Sequence, residues 1–241
     1  MYLDIHSHIL SGIDDGAEDL TISQTLLKTL YSQGVTDIIA TPHFYPMFDS
    51  LDEFLENRKK SFSMLCEYLK DEKEIPNIYL GSEVLYYSGI SYASELKSLT
   101  LADSRYILLE PDYFLLNAKF ENEILHLIEL DFIPIITHIE RYQKAKGFKR
   151  FYEFVKKNGV LAQVNATSFF SKNYARILKK LIKDNVISFI ASDTHSLDIR
   201  PPMIKNALDK ISYSCGQDYA QRLIENSQKL MGKITAKEDE I

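Results

Sequence analysis

Five of the six histidines in this 241-residue chain stand at or just past the ends of apolar runs, and so do Glu83, Glu110 and Asp193. The opening run Asp4-Ile5-His6-Ser7-His8 sets two imidazoles two residues apart. On a strand, residues i and i+2 face the same way, so His6 and His8 could grip one metal ion. His43, Glu83, Glu110, His138, Asp193 and His195 close further runs of the same kind. Taken singly, each is equally well read as a polar residue capping or pairing locally. Taken together, they are most simply one polynuclear metal site. His126, inside Glu123-Ile-Leu-His-Leu-Ile, is the exception and reads as structural or surface. Imidazole mixed with carboxylate suits Mn, Fe or Zn, and the absence of thiolate argues against a purely soft site.

The runs that carry these residues are Tyr2–His6, Thr36–Thr41, Asn77–Glu83, Arg105–Glu110, Ile133–His138, Leu161–Asn165 and Ile187–Ser192. They are short, rich in Ile, Leu and Val, and continuous rather than alternating, as parallel strands buried on both faces are. Helical patterns lie between them: Leu20–Ser32, Leu51–Lys70, Ala118–Leu130, Lys149–Asn158, Tyr174–Asp184, Met203–Ile211 and Tyr219–Met231. Gly34 and Gly159 follow helices as C-terminal caps should. Val84–Ser104 reads as short or irregular structure. Strands alternating with helices, without a Pro/Gly/Ser-rich linker, predict an α/β protein: a closed or nearly closed β/α barrel. An open doubly wound sheet is the alternative, weakened by the lack of a GxGxxG or GxxxxGK[ST] motif. One domain would span residues 1–234, with a charged, frayed tail over 235–241. In such barrels chemistry sits at the C-terminal ends of the strands, where the candidate ligands fall.

Composition is that of an ordinary globular protein, 45% hydrophobic and 26% charged. The net charge of -6 argues against nonspecific nucleic-acid binding. No apolar run approaches the roughly 20 residues of a membrane span, and the N-terminus lacks the pattern of a secretory signal. Cys66 and Cys215 are too few and too far apart for a disulfide framework, which fits a reducing cytoplasm.

An ordered set of short motifs runs from Met1 to about Met231: Asp4-Ile-His-Ser-His8, Gly12-Ile-Asp-Asp-Gly16, Ala40-Thr-Pro-His43, Gly81-Ser-Glu83, Leu109-Glu110, Thr137-His-Ile-Glu-Arg141, Gln163-Val-Asn165, Ala191-Ser-Asp-Thr-His195 and Arg200-Pro-Pro202. The set resembles the PHP superfamily (polymerase and histidinol phosphatase), and within it the capsule-type CpsB/CapC bacterial protein tyrosine phosphatases. The resemblance implies a distorted seven-stranded β/α barrel holding three divalent cations, usually manganese. It implies His6, His8, Glu83 and Asp193 for the first cation. It implies Glu83 as a bridge with Glu110 and His138 for the second, and Asp15, His43 and His195 for the third. Glu110 stands where histidinol-phosphate phosphatases tend to place a histidine. Asp14 and Asp15 compete for one ligand role, and register with the family favours Asp15. Both Asp15 and Glu110 also have plain readings, as part of the turn Asp14-Asp15-Gly16 and as a bend before Pro111.

The chemistry implied is hydrolysis of phosphotyrosine by a metal-bound hydroxide, with the cations neutralising developing charge. Arg141 and Arg200, in loops after strands, read as phosphate clamps, since guanidinium matches phosphate oxygens bidentately. The alternative for each is a surface salt bridge with Glu or Asp, and the clamp reading is preferred for Arg141 over Arg200. Asp14 and Glu140 could support the ligands. A cysteine nucleophile in Cys-x5-Arg is absent: Glu72 stands six residues after Cys66, and Gln221 six after Cys215. Phe44-Tyr45-Pro46-Met47-Phe48 and Tyr86-Tyr87 could wall a slot for a phenyl ring or simply pack on the rim. The run Lys144–Arg150 could attract an acidic peptide or be a solvated face. By resemblance, the substrate would be the phosphotyrosine tail of a bacterial tyrosine autokinase, and the process capsule or exopolysaccharide synthesis. A small-molecule phosphoesterase such as histidinol-phosphate phosphatase, or a metal-stabilised scaffold without turnover, are the alternatives.

Overall fold

The apolar runs fold as parallel strands covered on both faces, as their lack of alternation requires. The computed structural model describes residues 2–93, 96–113 and 116–235. Among these, the strands are β1 (Tyr2–Ser7), β2 (Val35–Ala40), β3 (His43–Phe44), β4 (Asn77–Leu80), β5 (Glu83–Leu85), β6 (Tyr106–Glu110), β7 (Ile133–Ile136), β8 (Leu161–Asn165) and β9 (Phe189–Ala191). The α-helices are α1 (Leu20–Ser32), α2 (Leu51–Tyr68), α3 (Ala118–Glu129), α4 (Phe148–Asn158), α5 (Ala175–Lys183), α6 (Ile204–Cys215) and α7 (Gln217–Thr235).

The strands form two all-parallel sheets, β1-β2-β4 and β3-β5-β6-β7-β8-β9. The run Asn77–Glu83 is cut in two, with Gly81-Ser82 separating β4 from β5, and the run Thr36–Thr41 is followed, past Thr41-Pro42, by a short strand β3 that the sequence reading did not include. Proline removes a ladder donor, so an interruption at Pro42 is natural. Register carries across both breaks: Ala40 faces Leu80, and His43 faces Glu83. At the other margin Ser7 bridges Thr194, while Asp193 N–H donates to His6 O at 2.9 Å. The last strand thus returns beside the first. The result is an α/β fold built on a curled parallel sheet.

Helix positions agree with the sequence patterns to within a few residues. Asp19, Ser50 and Asn117 cap α1, α2 and α3 through their side chains, and Gly34 and Gly159 take positive φ just past helix ends. Within the stretch read as irregular, β5 is followed by 3-10 turns at Ile90–Tyr92, Leu96–Leu99 and Leu101–Asp103. His126 has the structural role expected of it: its Nδ1 lies 2.9 Å from Ser91 Oγ, tying α3 to the first of these turns. Of the expected tail, Thr235 closes α7, and 236–241 lie outside the described residues.

The core has two parts. The larger fills the space between sheet and helices. The smaller joins Leu3, Ile5, Ile39, Leu108, Ile135, Phe189 and Ala191 to Leu230 and Ile234 of α7. Side chains from β1 and β2 meet those of β6 and β7 there, so this cluster occupies the inside of the curl. Strand alternation then raises polar residues above it. Tyr106, Leu108 and Glu110 share one face of β6. Leu161, Gln163 and Asn165 share one face of β8, and Phe189, Ala191 and Asp193 continue likewise from β9. An apolar plug therefore sits under a polar layer.

Candidate metal centre

Among the described residues, the polar layer gathers side chains from distant parts of the chain into three donor groups, whose atoms lie within 4.8 Å of one another in each. The first holds His6, His8, Glu83 and Asp193, all buried. His6 Nε2 and His8 Nε2 face each other at 3.1 Å, and Glu83 Oε2 lies 3.1 and 3.3 Å from them. Asp193 Oδ1 completes the four at 3.4 and 3.5 Å. The second group is His43, Glu83 and Glu110. His138, expected in it, points Nε2 at Glu83 Oε1 (2.9 Å) and at Glu110 Oε1 (3.6 Å). The third joins Asp15, His43 and His195 with His8, which sequence reasoning had placed only in the first. Here Asp15 Oδ1 lies 3.2 Å from His195 Nε2 and 3.5 Å from His43 Nε2.

The residues fit divalent cations. Glu83 Oε2 and His43 Nδ1 lie 3.0 Å apart and His195 Nε2 3.2 Å from Asp15 Oδ1, yet among the described residues none of these three buried atoms makes a well-formed hydrogen bond, and each belongs to a donor group. Orphaned buried lone pairs are costly unless something positive meets them. Two donors also take uncommon backbone geometry: His138 has φ 26° and Asp193 φ 48°, in the left-handed region that few non-glycine residues occupy.

Most donors have a visible support, as ligands generally need. Asp14 Oδ2 meets His8 Nδ1 at 2.7 Å and accepts from His43 N–H at 3.0 Å. Its Oδ1 accepts from Gly16 N–H at 2.9 Å. Asp14 is thus committed to the turn, while Asp15 faces the third group. The turn needs glycine at 16, because a Cβ there would lie 2.2 Å from His8 O. Gln163 Oε1 accepts from His138 N–H at 2.7 Å and lies 3.3 Å from His6 Nδ1. Asn165 Nδ2 donates to Asp193 Oδ2 at 2.5 Å. Tyr142 O–H sits 3.2 Å from His138 Nδ1. Arg58 of α2 donates to Gly81 O and Ser82 Oγ, at 2.8 and 2.7 Å, pinning the break that presents Glu83. Glu140 accepts from Asn165 N–H and Ser168 O–H, a support for the loop rather than for a donor.

Tyr142 and Arg58 had no part in the sequence reading, and Gln163 and Asn165 entered it as a motif of the resemblance without an assigned role. Polar residues alternating on a buried strand were a usable signal for Gln163 and Asn165. Arg58 sits on an amphipathic helix and gave none.

Charge in the cluster is strongly shared. Burial opposes the charged form of His8, yet Asp14 pushes its pKa up to about 9. Glu83 does the same for His43 against burial, again to about 9. Burial drives His138 down to about 4. Despite burial, Glu83 is held well below the usual carboxylate range by His6 and His43. Burial and the neighbouring Glu83 charge raise Glu110 to about 7. Two carboxylates in such conflict are relieved by a cation.

Both arginines reach the site. Arg141 Nη2 lies 3.4 Å from Asp193 Oδ2, and Arg200 Nη2 donates to Asp15 Oδ2 at 2.5 Å. Of the aromatic candidates, Phe44 packs on Phe54 and Tyr86 on Phe120, so they serve the core. Tyr45 stacks on His43 with ring centroids 4.8 Å apart. Cys66 lies exposed on α2 and Cys215 at the end of α6, and neither belongs to a donor group.

The family model described as "Capsular polysaccharide synthesis, CpsB/CapC" matches residues 2–232. The chain is 29% identical over 240 residues to the tyrosine-protein phosphatase CpsB of Streptococcus agalactiae serotype III (strain NEM316), covering 95% of this chain and 98% of that one. It is 30% identical over 240 residues to CpsB of Streptococcus pneumoniae, with the same coverage. A solved structure covers 96% of this chain and 94% of its own, at a TM-score of 0.86 and 27% identity. It comes from work on YwqE from Bacillus subtilis and CpsB from Streptococcus pneumoniae, described as unique metal-dependent tyrosine phosphatases. A β-aspartyl dipeptidase from Fervidobacterium islandicum, at 15% identity and a TM-score of 0.54, shares the fold alone. With its family model matched along nearly its whole length, the chain belongs to the CpsB/CapC family.

Proposed function

We propose that this protein is a metal-dependent protein-tyrosine phosphatase that cleaves phosphotyrosine without a cysteine nucleophile. The observation that carries this reading is the convergence of buried, orphaned imidazole and carboxylate atoms beside two guanidinium groups. The names of the relatives support it. Three cations, manganese by family resemblance, would be held by His6, His8, Glu83 and Asp193, by Glu83, Glu110 and His138 with His43 adjacent, and by Asp15, His43 and His195. Cations there supply Lewis acidity toward phosphate oxygens and lower the pKa of a coordinated water.

The protein's own side chains orient the ester. Arg141 and Arg200 hold non-bridging oxygens through paired N–H groups, which carbon-bound ammonium groups cannot match in geometry. Arg200 must release Asp15 to do so. Gln163 and Asn165 fix the rotamers of His6 and Asp193, so the donors need no reorganisation when charge develops. Phenoxide is a fair leaving group, and the site needs no strong general acid.

The substrate we infer is the phosphotyrosine tail of a bacterial tyrosine autokinase in the cytoplasm, in control of capsule or exopolysaccharide synthesis. The family's description supports this context, and two free thiols suit a reducing compartment. We read the curled sheet as a distorted seven-stranded PHP-type barrel in a single domain over 1–234. The split of Asn77–Glu83 into β4 and β5, and the short β3 after Pro42, account for nine strands rather than seven.

The test is a rate assay on metal-stripped protein resupplied with Mn2+, using phosphotyrosine peptides beside histidinol phosphate. Restored peptide hydrolysis, lost in His138→Ala and weak on histidinol phosphate, is the expected result. Preference for histidinol phosphate, or no cation-dependent turnover, would sink the reading.

A further inference from the structure

A cavity of about 560 Å³ opens beside the third donor group. Asp15, His195 and Arg200 contribute to its lining, so it is continuous with the place where a phosphate would be held. The rest differs in character. Ile22, Leu197 and Ile199 bring aliphatic surface, and Leu197 and Ile199 are 47% and 82% exposed. Large apolar side chains left in water beside a reactive site mark a contact surface more often than a fold requirement. Glu18 and Asp198 add two exposed carboxylates that form no ion pair among the described residues. Asp198 is fixed locally, accepting from Ser196 O–H and Ile199 N–H at 2.8 Å each.

A free small phosphate ester has no use for this extension. A polypeptide does: successive residues advance about 3.3–3.6 Å along an extended chain, so neighbours of a bound phosphotyrosine must lie against whatever borders the phosphate site. We infer that this cavity receives the residue adjacent to phosphotyrosine in a polypeptide substrate, accepting an apolar or basic side chain and disfavouring an acidic one. This rests on the phosphatase reading above. Aliphatic walls reward apolar contact, and the two carboxylates repel Asp or Glu and attract Lys or Arg. The same loop, residues 195–200, carries both the specificity surface and the Arg200 clamp, so seating the neighbour also positions the guanidinium.

The experiment compares kcat/KM on three phosphotyrosine peptides flanked on both sides by Leu, Lys or Glu, with p-nitrophenyl phosphate as the small reference. The Mn-loaded parent is set beside Ile199→Ala and a Glu18→Lys/Asp198→Asn pair, none of which touches the donors. The parent should favour the Leu and Lys peptides over the Glu peptide by about fivefold, the size of a partly screened charge contact. The charge pair should cancel or invert that preference. Ile199→Ala should raise KM for the Leu peptide about threefold. Rates on p-nitrophenyl phosphate should stay unchanged throughout. Equal rates on all three peptides in an active parent would overturn the cavity assignment and leave the phosphatase reading intact. A parent that hydrolyses neither peptides nor p-nitrophenyl phosphate would overturn both. A change of molar mass in Ile199→Ala at unchanged peptide KM would make the face a contact between copies and likewise overturn the assignment.

Discussion

The first and third donor groups both mix imidazole with carboxylate and share His8, but are held in different ways. His6, His8, Glu83 and Asp193 are buried at strand ends, and each is locked by a partner: Gln163, Asp14, the Arg58-pinned break and Asn165. The third group hangs on Asp15, which is 62% exposed, sits on a turn and is already paired with Arg200. Strand geometry and an apolar plug thus fix the inner group. The outer group is assembled by a loop and contested by a guanidinium. Affinity and order should follow the first, and substrate-linked adjustment the second.

The contrast can be broken most forcefully at Glu83, which serves two groups. Glu83→Ala should reduce phosphotyrosine hydrolysis by at least about 10³-fold, as loss of a central electrostatic element does, and should empty the inner group in elemental analysis. Asp15→Asn should cost less, about 10- to 100-fold, with one cation fewer per chain and inner occupancy retained. Equal losses of cation in the two variants would erase the distinction.

A smaller effect concerns pH. In the cation-free protein, Asp14 and Glu83 overcome burial to hold His8 and His43 near 9, so both carry protons at neutral pH. A cation must displace them. Affinity should therefore rise with pH up to about 9 and then level off, by about tenfold per unit for each proton released. Calorimetric titration in buffers of different ionisation enthalpy reads the proton count directly. A pH-independent affinity between 6 and 9 would contradict the proton-sharing described for the cluster.

Much of this was legible in the chain because it depends on local rules. Continuous Ile/Leu/Val runs gave buried parallel strands, Gly34 and Gly159 gave helix ends, and His or carboxylate at run ends gave the candidate donors other than Asp15, which came from the family resemblance. What was illegible depends on tertiary contact. Nothing local says that Arg58, from α2, grips the Gly81-Ser82 break, or that His8 serves two groups. Asp15 was chosen over Asp14 on register with the family, and the turn gives the physical reason: Asp14 is spent on His8, His43 and Gly16. For the aromatic runs the sequence left packing and a phenyl slot both open; Phe44 and Tyr86 find ring partners in the core, while Tyr45 stacks on the donor His43.

The most direct test of the central claim is anomalous diffraction from crystals of the Mn-loaded protein, collected at the manganese edge. The account predicts peaks within the three donor groups, with Glu83 shared between two of them and the peak beside Asp15 the weakest. Active crystals whose manganese lies elsewhere, or whose strongest site excludes Glu83, would contradict it.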